Sequence, residues 1–376
     1  MAIVIKEVTT QSELKDFVNY PLTLYRNHPC YVPNLFDDDM HTLRRDTNAA
    51  FEYADARYWL AYKDGRLAGR IAGIINRRAI EKWQSPYIRF SWFDFEDDIE
   101  ISRALLAVVE AWGQENGLSA IHGPLGFTDL DREGMLVEGF EELGTMATFY
   151  NYAYYPAHME QLGYSKDIDW LEYEVDVPAE VPEKISRLAE IVLKRNNLHV
   201  MQFKRKKEML AYAGQLFGLL NDEYKNLYGM VALNERQIEA YTQQYFGLVN
   251  QDFVPMIADE HDRLVAFGVA LPSLSHALQK SRGKLFPFGF LHLLKALRWN
   301  NRGDLYLVAI RSEYQGMGLN AVLINLIIRV FNRMGITKVE SNPELETNLK
   351  MRTQWKHFDV RQHKRRRIFI KNLTAK

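Results

Sequence analysis

Twice along the 376-residue chain the same succession of patterns occurs: an extended hairpin, a third strand, an amphipathic helix, a short strand, a helix-like stretch and a closing strand. In the first half, "YWLAYKDGRLAGRIAGII" is two extended runs joined by Asp64-Gly65, a strong short-range hairpin signal. In the second, "FVPMIADEHDRLVAFGVAL" predicts the same hairpin with a longer turn around Asp259 to Asp262. Each hairpin is followed by a strand ("YIRFSWFDF"; "LYLVAI"), then an apolar run of helical period, Ile99 to Glu115 and Asn320 to Met334. A short β-run comes next ("SAIHGPL"; "TKVESN"), and each half closes on a strand ("DWLEYEV"; "RRRIFIK"). "EKISRLAEIVLKRNNL" and "AYAGQLFGLLNDEYKNLYG" read as helices covering one face of the second sheet. The order predicts an α+β fold, two units in tandem, each a central mixed β-sheet flanked by helices. Prolines and alternating acids in "LEYEVDVPAEVPEKI" place the boundary so that the domains are 1–177 and 178–376.

Composition narrows the class. With 47 % apolar and 25 % charged residues and a net charge of −1, the chain reads as a globular protein with no global case for nucleic-acid binding. Its one cysteine, Cys30, excludes an intramolecular disulfide and a thiolate zinc cluster, so a reducing cytoplasm is the expected location. The start, "MAIVIKEVTT", has strand alternation and lacks the features of a signal peptide. No window has the ~18–20 uninterrupted apolar residues of a spanning helix. Neither metal-ligand spacings nor a serine-nucleophile motif is present, so no metal is expected.

Between the second half's third strand and its helix stands "VAIRSEYQGMGLN". Val308, Ala309 and Ile310 end a strand, Gln315, Gly316, Met317, Gly318, Leu319 and Asn320 make a turn, and a helix follows. Outward-facing N–H groups and the helix dipole at such a junction favour an anion. Glycine at 316 and 318 removes the Cβ that would block a phosphate.

This run resembles the acyl-CoA-binding motif of the GNAT (Gcn5-related N-acetyltransferase) superfamily, Gln/Arg-x-x-Gly-x-Gly/Ala at a helix start after a strand. Gln315 and Gly318 match its first position and its central glycine, and Gly316 is a frequent extra; Asn320 departs from the small last residue. Downstream, Asn348 and Trp355 keep the spacing of the superfamily's Asn and aromatic residue, with Trp355 where a Tyr acid usually stands. The segments "GPLGFTD" and "YNYAYY" also resemble bacterial two-domain GNAT-like proteins of unassigned substrate. The resemblance implies tandem acyl-CoA N-acyltransferase folds. It also implies acetyl-CoA or another acyl-CoA as co-substrate, a small-molecule or lipidic amine as acceptor, and direct attack without a metal or covalent intermediate. Val308 to Ile310, Gln315 to Asn320 and Asn348 are then the coenzyme-binding residues.

Such a transfer needs a base for the ammonium proton, an N–H to polarise the carbonyl and an acid for the departing sulfur. Glu340, on the short strand beside the expected acyl end, and His357, which titrates in a useful range, are candidates for proton transfer. Tyr306 is the candidate acid in place of the missing Tyr. Ion pairing of Glu340 and simple surface exposure of His357 are the competing readings. The same junction in the first half carries Glu96, Asp97 and Asp98, which repel a polyanion and suit a ligand-free helix start, so the first domain is expected to be a degenerate GNAT-like unit without CoA. Tyr150, Asn151, Tyr152, Tyr154 and Tyr155 either shape an acceptor pocket or pack.

Residues 280–299 interleave Lys280, Arg282, Lys284, Lys295 and Arg298 with phenylalanines, leucines and Trp299, a composition that suits peripheral contact with a membrane, packing, or the cover of an acyl chain. The C-terminal cations Arg361 and Lys364 to Arg367 fall in an expected hairpin, which splits their charge between two faces; one of them is placed to serve the coenzyme's 3′-phosphate. The function expected is acyl-CoA-dependent N-acyltransfer to an amine. The alternatives are a catalytically silent CoA-binding or scaffold protein and a lipid-associated long-chain N-acyltransferase.

Overall fold

A computed structural model describes residues 2–245, 249–348, 355 and 358–373. The chain divides into two compact units, one of Met1–Leu171, Leu274–Leu293 and His363–Lys376, the other of Glu172–Ser273 and Leu294–Gln362. The first unit thus takes in an internal segment and the chain's last residues, which sequence order alone assigns to the second half.

The strands of the first unit are β1 (Ile3–Glu7), β2 (Ala54–Lys63), β3 (Arg66–Asn76), β4 (Tyr87–Phe95), β5 (Ala120–Gly123) and β6 (Met135–Glu138). Of β7 (Ser165–Asp176), residues 165–171 belong to the first unit and 172–176 to the second. In the second unit follow β8 (His199–Val200), β9 (Met256–Ala258), β10 (Leu264–Pro272), β11 (Arg302–Ile310), β12 (Lys338–Glu340) and β13 (Glu344–Leu345); of β14 (Val360–Asn372), residues 360–362 belong to the second unit and 363–372 to the first.

In the first unit β2 and β3 form the expected hairpin, with Asp64 and Gly65 both at positive φ, as a two-residue turn of this twist requires. β4 pairs antiparallel with β3, and β5 lies parallel to β4. The crossover between them is the helix Ile99–Glu115. Asp98 caps it by accepting from the Glu100 amide at 3.0 Å, and Ile101, Leu105, Leu106, Val109 and Trp112 form its buried face. Each of these side chains contributes about 1.5–3 kcal/mol by leaving water. Packed against the sheet with Phe90, Phe93, Phe95 and Tyr155, they make the unit's main core.

The expected C-terminal hairpin is instead one 13-residue strand, β14, paired antiparallel with β5 and β6. Lys364 and Arg366 are buried, and Arg365 and Arg367 share the buried carboxylate of Asp169. These cations belong to the unit's own interior. The tyrosines pack too: within the first unit Tyr150 donates to the Phe140 carbonyl at 3.0 Å, Tyr152 to that of Leu24 at 3.2 Å, and Tyr155 stacks on Phe95. Beside them a cavity of about 10 Å³ has room for one water, lined in part by Asp94, Asn151 and Tyr155. Asp94 is held by buried Arg70 at 2.7 Å and by the Tyr25 hydroxyl at 2.8 Å.

The second unit repeats the plan. β9 and β10 are antiparallel, joined by a turn in which Asp259 accepts from the amides of His261 and Arg263, both at 3.0 Å. β10 and β11 are antiparallel, and β12 lies parallel to β11 after the helix Leu319–Met334. That helix ends in a left-handed Gly335 and buries Leu319, Val322 and Leu323 against Ala189 and Val192 of the helix Glu183–Arg195.

Candidate acyl-transfer site

β11 and β12 pair over three rungs only, Arg302 with Lys338, Gly303 with Val339 and Asp304 with Glu340. Beyond the last rung they part. On the β10 side a bulge between Val269 and Ala270 passes over Tyr306, the kind of irregularity that re-aims a side chain. The opening is therefore bounded by Asp304 and Glu340 at its closed end, by Tyr306, Val308, Ala309 and Ile310 along β11, and by Ser341 onward along the other arm.

At that closed end carboxylates gather. Glu340 stands opposite Asp304 on one side and Glu174 of β7 on the other, and both Asp304 and Glu340 are buried. Glu174 is committed to Lys338 at 3.2 Å and Arg302 at 3.0 Å. Burial opposes ionisation of its carboxyl, but these cations hold it below the usual range. The Tyr306 hydroxyl reaches Asp304 at 3.4 Å, a long contact. Asp304 was not singled out from sequence. Its strand alternation with Tyr306 was the available signal, but the rung that joins it to Glu340 is set by pairing between distant segments.

The glycine turn sits at the far end of β11. Gly316 and Gly318 have φ of +78° and +92°, and Gly318 is the residue before the helix Leu319–Met334, with no side chain capping that end. A Cβ at 318 would come within 2.9 Å of Val192 Cγ2, so glycine there serves both the backbone turn and the packing of two helices; at 316 the space is open. The N–H groups of Gly316 and Gly318 meet no acceptor among the described residues. Glu223 fastens the start of the turn, accepting from the Ser312 amide at 2.9 Å, the Ser312 hydroxyl at 2.8 Å and the Gln315 amide group at 2.9 Å. Tyr224, its neighbour, donates to the Val308 carbonyl at 3.1 Å. Neither residue was anticipated, since both come from a helix some 90 positions upstream.

Trp355 is buried, and its indole N–H donates to Glu344 at 3.0 Å, so the ring is tied into the interior. The Asn348 amide turns back onto the Leu345 carbonyl at 2.9 Å. His357 lies outside the described residues. In the first unit β4 and β5 also part, after Arg89 and His122. There the helix junction is filled by its own side chains: Glu96 pairs with Arg66, Asp98 with Lys63 at 2.7 Å, and Asp97 with His158 at 3.1 Å.

No protein-family model matches the chain. It is 28 % identical over 378 residues to protein YghO of Escherichia coli K12, covering 98 % of this chain and 95 % of that one. It is 25 % identical over 295 residues to the bacterial ceramide synthase of Caulobacter vibrioides, covering 77 % of this chain and 75 % of the relative. Among solved structures it superposes on a tandem GNAT protein from the clavulanic acid biosynthesis pathway over the full length of both chains, with a TM-score of 0.58 at 12 % identity. The repeated hairpin, third strand, crossover helix and parallel fourth strand, parted at the same rung in both units, give this chain the tandem GNAT fold.

Proposed function

We propose that the second unit binds acyl-CoA at the Gln315 to Asn320 turn and transfers the acyl group to an amine. The observation that carries this reading is the joining of two features by one strand. β11 runs from a parted strand pair holding two buried carboxylates to a helix N-terminus with outward N–H groups and no side-chain cap. Backbone amides at Gly316 and Gly318 suit a diphosphate, and Gln315, Met317, Leu319, Asn320 and Asn348 complete the coenzyme site. Val308 to Ile310 lie where the thioester would enter the opening. Glu340 is the general base and takes the proton lost by the attacking amine. The amine nitrogen bonds to the thioester carbon, the C–S bond breaks, and the sulfur leaves as thiolate. Tyr306 is the group placed to protonate it, since Trp355 is committed to Glu344. The first unit, its junction occupied by ion pairs, is the degenerate partner that does not hold CoA.

The relative named as a ceramide synthase supports a longer acyl group and a lipidic acceptor, because a ceramide is the amide of a fatty acid and a long-chain amine. Thiol release from acetyl-CoA and from palmitoyl-CoA, measured with short and long-chain amines, tests both levels. Release with neither donor, alongside saturable CoA binding, would instead identify a silent binding protein.

A further inference from the structure

Between Asp262 and Asp304 the sequence contains no acid and seven lysines and arginines, in a chain whose net charge is −1. The middle of this stretch also holds six of the exposed large hydrophobic side chains among the described residues. Phe286, Phe288 and Trp299 are 77 %, 69 % and 64 % exposed, and Phe290, Leu291 and Leu294 join them. The helix Gly289–Arg298 explains the arrangement: Gly289 and Leu293 face inward, while Phe290, Leu291 and Leu294, at helical spacing, face out. Just upstream and within the first unit, the Gly283 carbonyl accepts from the Phe36 amide at 2.8 Å, and Gln279 donates to the carbonyls of Pro29 and Tyr31.

Among the described residues Lys280, Arg282, Lys284, Lys295 and Arg298 form no ion pair. Arg282 and Lys284 line a groove of about 260 Å³ with Asn19, Leu22, Thr23 and Ser281, a basic recess that suits a phosphate headgroup. Arg298 lies over the Trp299 ring at 4.8 Å, with a cation next to an aromatic ring as at a membrane interface.

We infer that residues 282–299 dock the protein on an anionic lipid surface. Phe286, Phe288, Leu291, Leu294 and Trp299 enter the headgroup and acyl boundary, while Arg282, Lys284, Lys295 and Arg298 meet lipid phosphates. Protein interfaces are depleted in lysine and matched by opposite charge on the partner, whereas a lipid leaflet supplies both an apolar interior and a continuous negative surface. A second copy of this chain would set the same cations against each other.

The inference stands apart from the acyl-CoA reading, and one experiment separates them. The full chain is sedimented with vesicles of phosphatidylcholine, alone and mixed with phosphatidylglycerol. Wild type is expected to pellet with the mixed vesicles and to be released by added salt. Phe286→Ser/Phe288→Ser and, separately, Lys295→Glu/Arg298→Glu are expected to lower the bound fraction at least tenfold with an unchanged circular dichroism spectrum, and Met317→Glu is expected to bind as wild type does. Failure of the wild type to pellet, or equal binding to both vesicles that is unaffected by the charge reversals, overturns the inference. So does a concentration-dependent dimer in gel filtration that the Phe286→Ser/Phe288→Ser change abolishes.

Discussion

Asp304 and Glu340 face each other across the last rung of the parallel pair β11 and β12, both buried, at the point where the two strands separate. In the proposed transfer Glu340 takes the proton lost by the amine, with Asp304 directly beside it. Glu340→Gln is therefore expected to lower kcat by about a hundredfold or more with acetyl-CoA affinity unchanged. Asp304→Asn should change the pH profile of kcat and also leave the coenzyme affinity intact. Steady-state kinetics beside calorimetry read both. A Glu340→Gln enzyme with full activity removes this residue from the mechanism.

The first unit's junction is self-satisfied, so Asp97→Ala/Asp98→Ala should leave CoA affinity as it is. Loss of the Asp98 cap on the helix Ile99–Glu115 should still cost about 1 kcal/mol of stability in denaturant titration. A large loss of CoA binding would place the coenzyme in the first unit and contradict the proposed site.

Arg70 and Asp94 form an ion pair with almost no exposure. Asp94→Ala leaves the guanidinium charge buried among Phe17 and the tyrosines and should destabilise the first unit by about 3–5 kcal/mol in denaturant titration. A change below 1 kcal/mol, on the order of a surface pair, would show that water reaches this site.

Glu13 gives a signed pH dependence. Lys6 first, then the amides of Thr9 and Thr10, hold its carboxyl down at about 2 from the ordinary 4.5. A depressed folded-state value stabilises above the unfolded value and is lost as pH falls through the folded one. The stability difference between wild type and Glu13→Gln should thus be constant above about pH 5, shrink on going down from there, and be fully lost only below about pH 2. Thermal melts across that range measure it, and a difference that is undiminished at pH 2 contradicts the assignment to this carboxylate.

Much of the fold was legible because local chemistry fixes it. The Ile99–Glu115 helix follows from its apolar period and the Asp64-Gly65 hairpin from two residues that accept positive φ. The Gln315 to Asn320 turn was visible for the same reason. Pairing between distant segments was not: a 13-residue β14 in place of a hairpin, the rung that brings Asp304 to Glu340, and the approach of Glu223 to Ser312 and Gln315 depend on sheet order and helix placement. The tyrosine run shows the same limit. Its hydroxyls could serve a ligand or the backbone, and only the carbonyls of Phe140, Leu24 and Phe95 decide for the backbone.

In the proposed function the amides of the Gln315 to Asn320 turn bind the diphosphate of acyl-CoA. Gly318 is a poor probe, because any Cβ there presses on Val192 and disturbs the helix pair. Met317 is better, being 47 % exposed in the same turn. Isothermal calorimetry of acetyl-CoA against wild type and Met317→Glu decides the matter. Saturable binding by the wild type is expected, with an affinity weakened by about tenfold or more in the variant and the melting temperature unchanged. Equal affinity in the two proteins would contradict it.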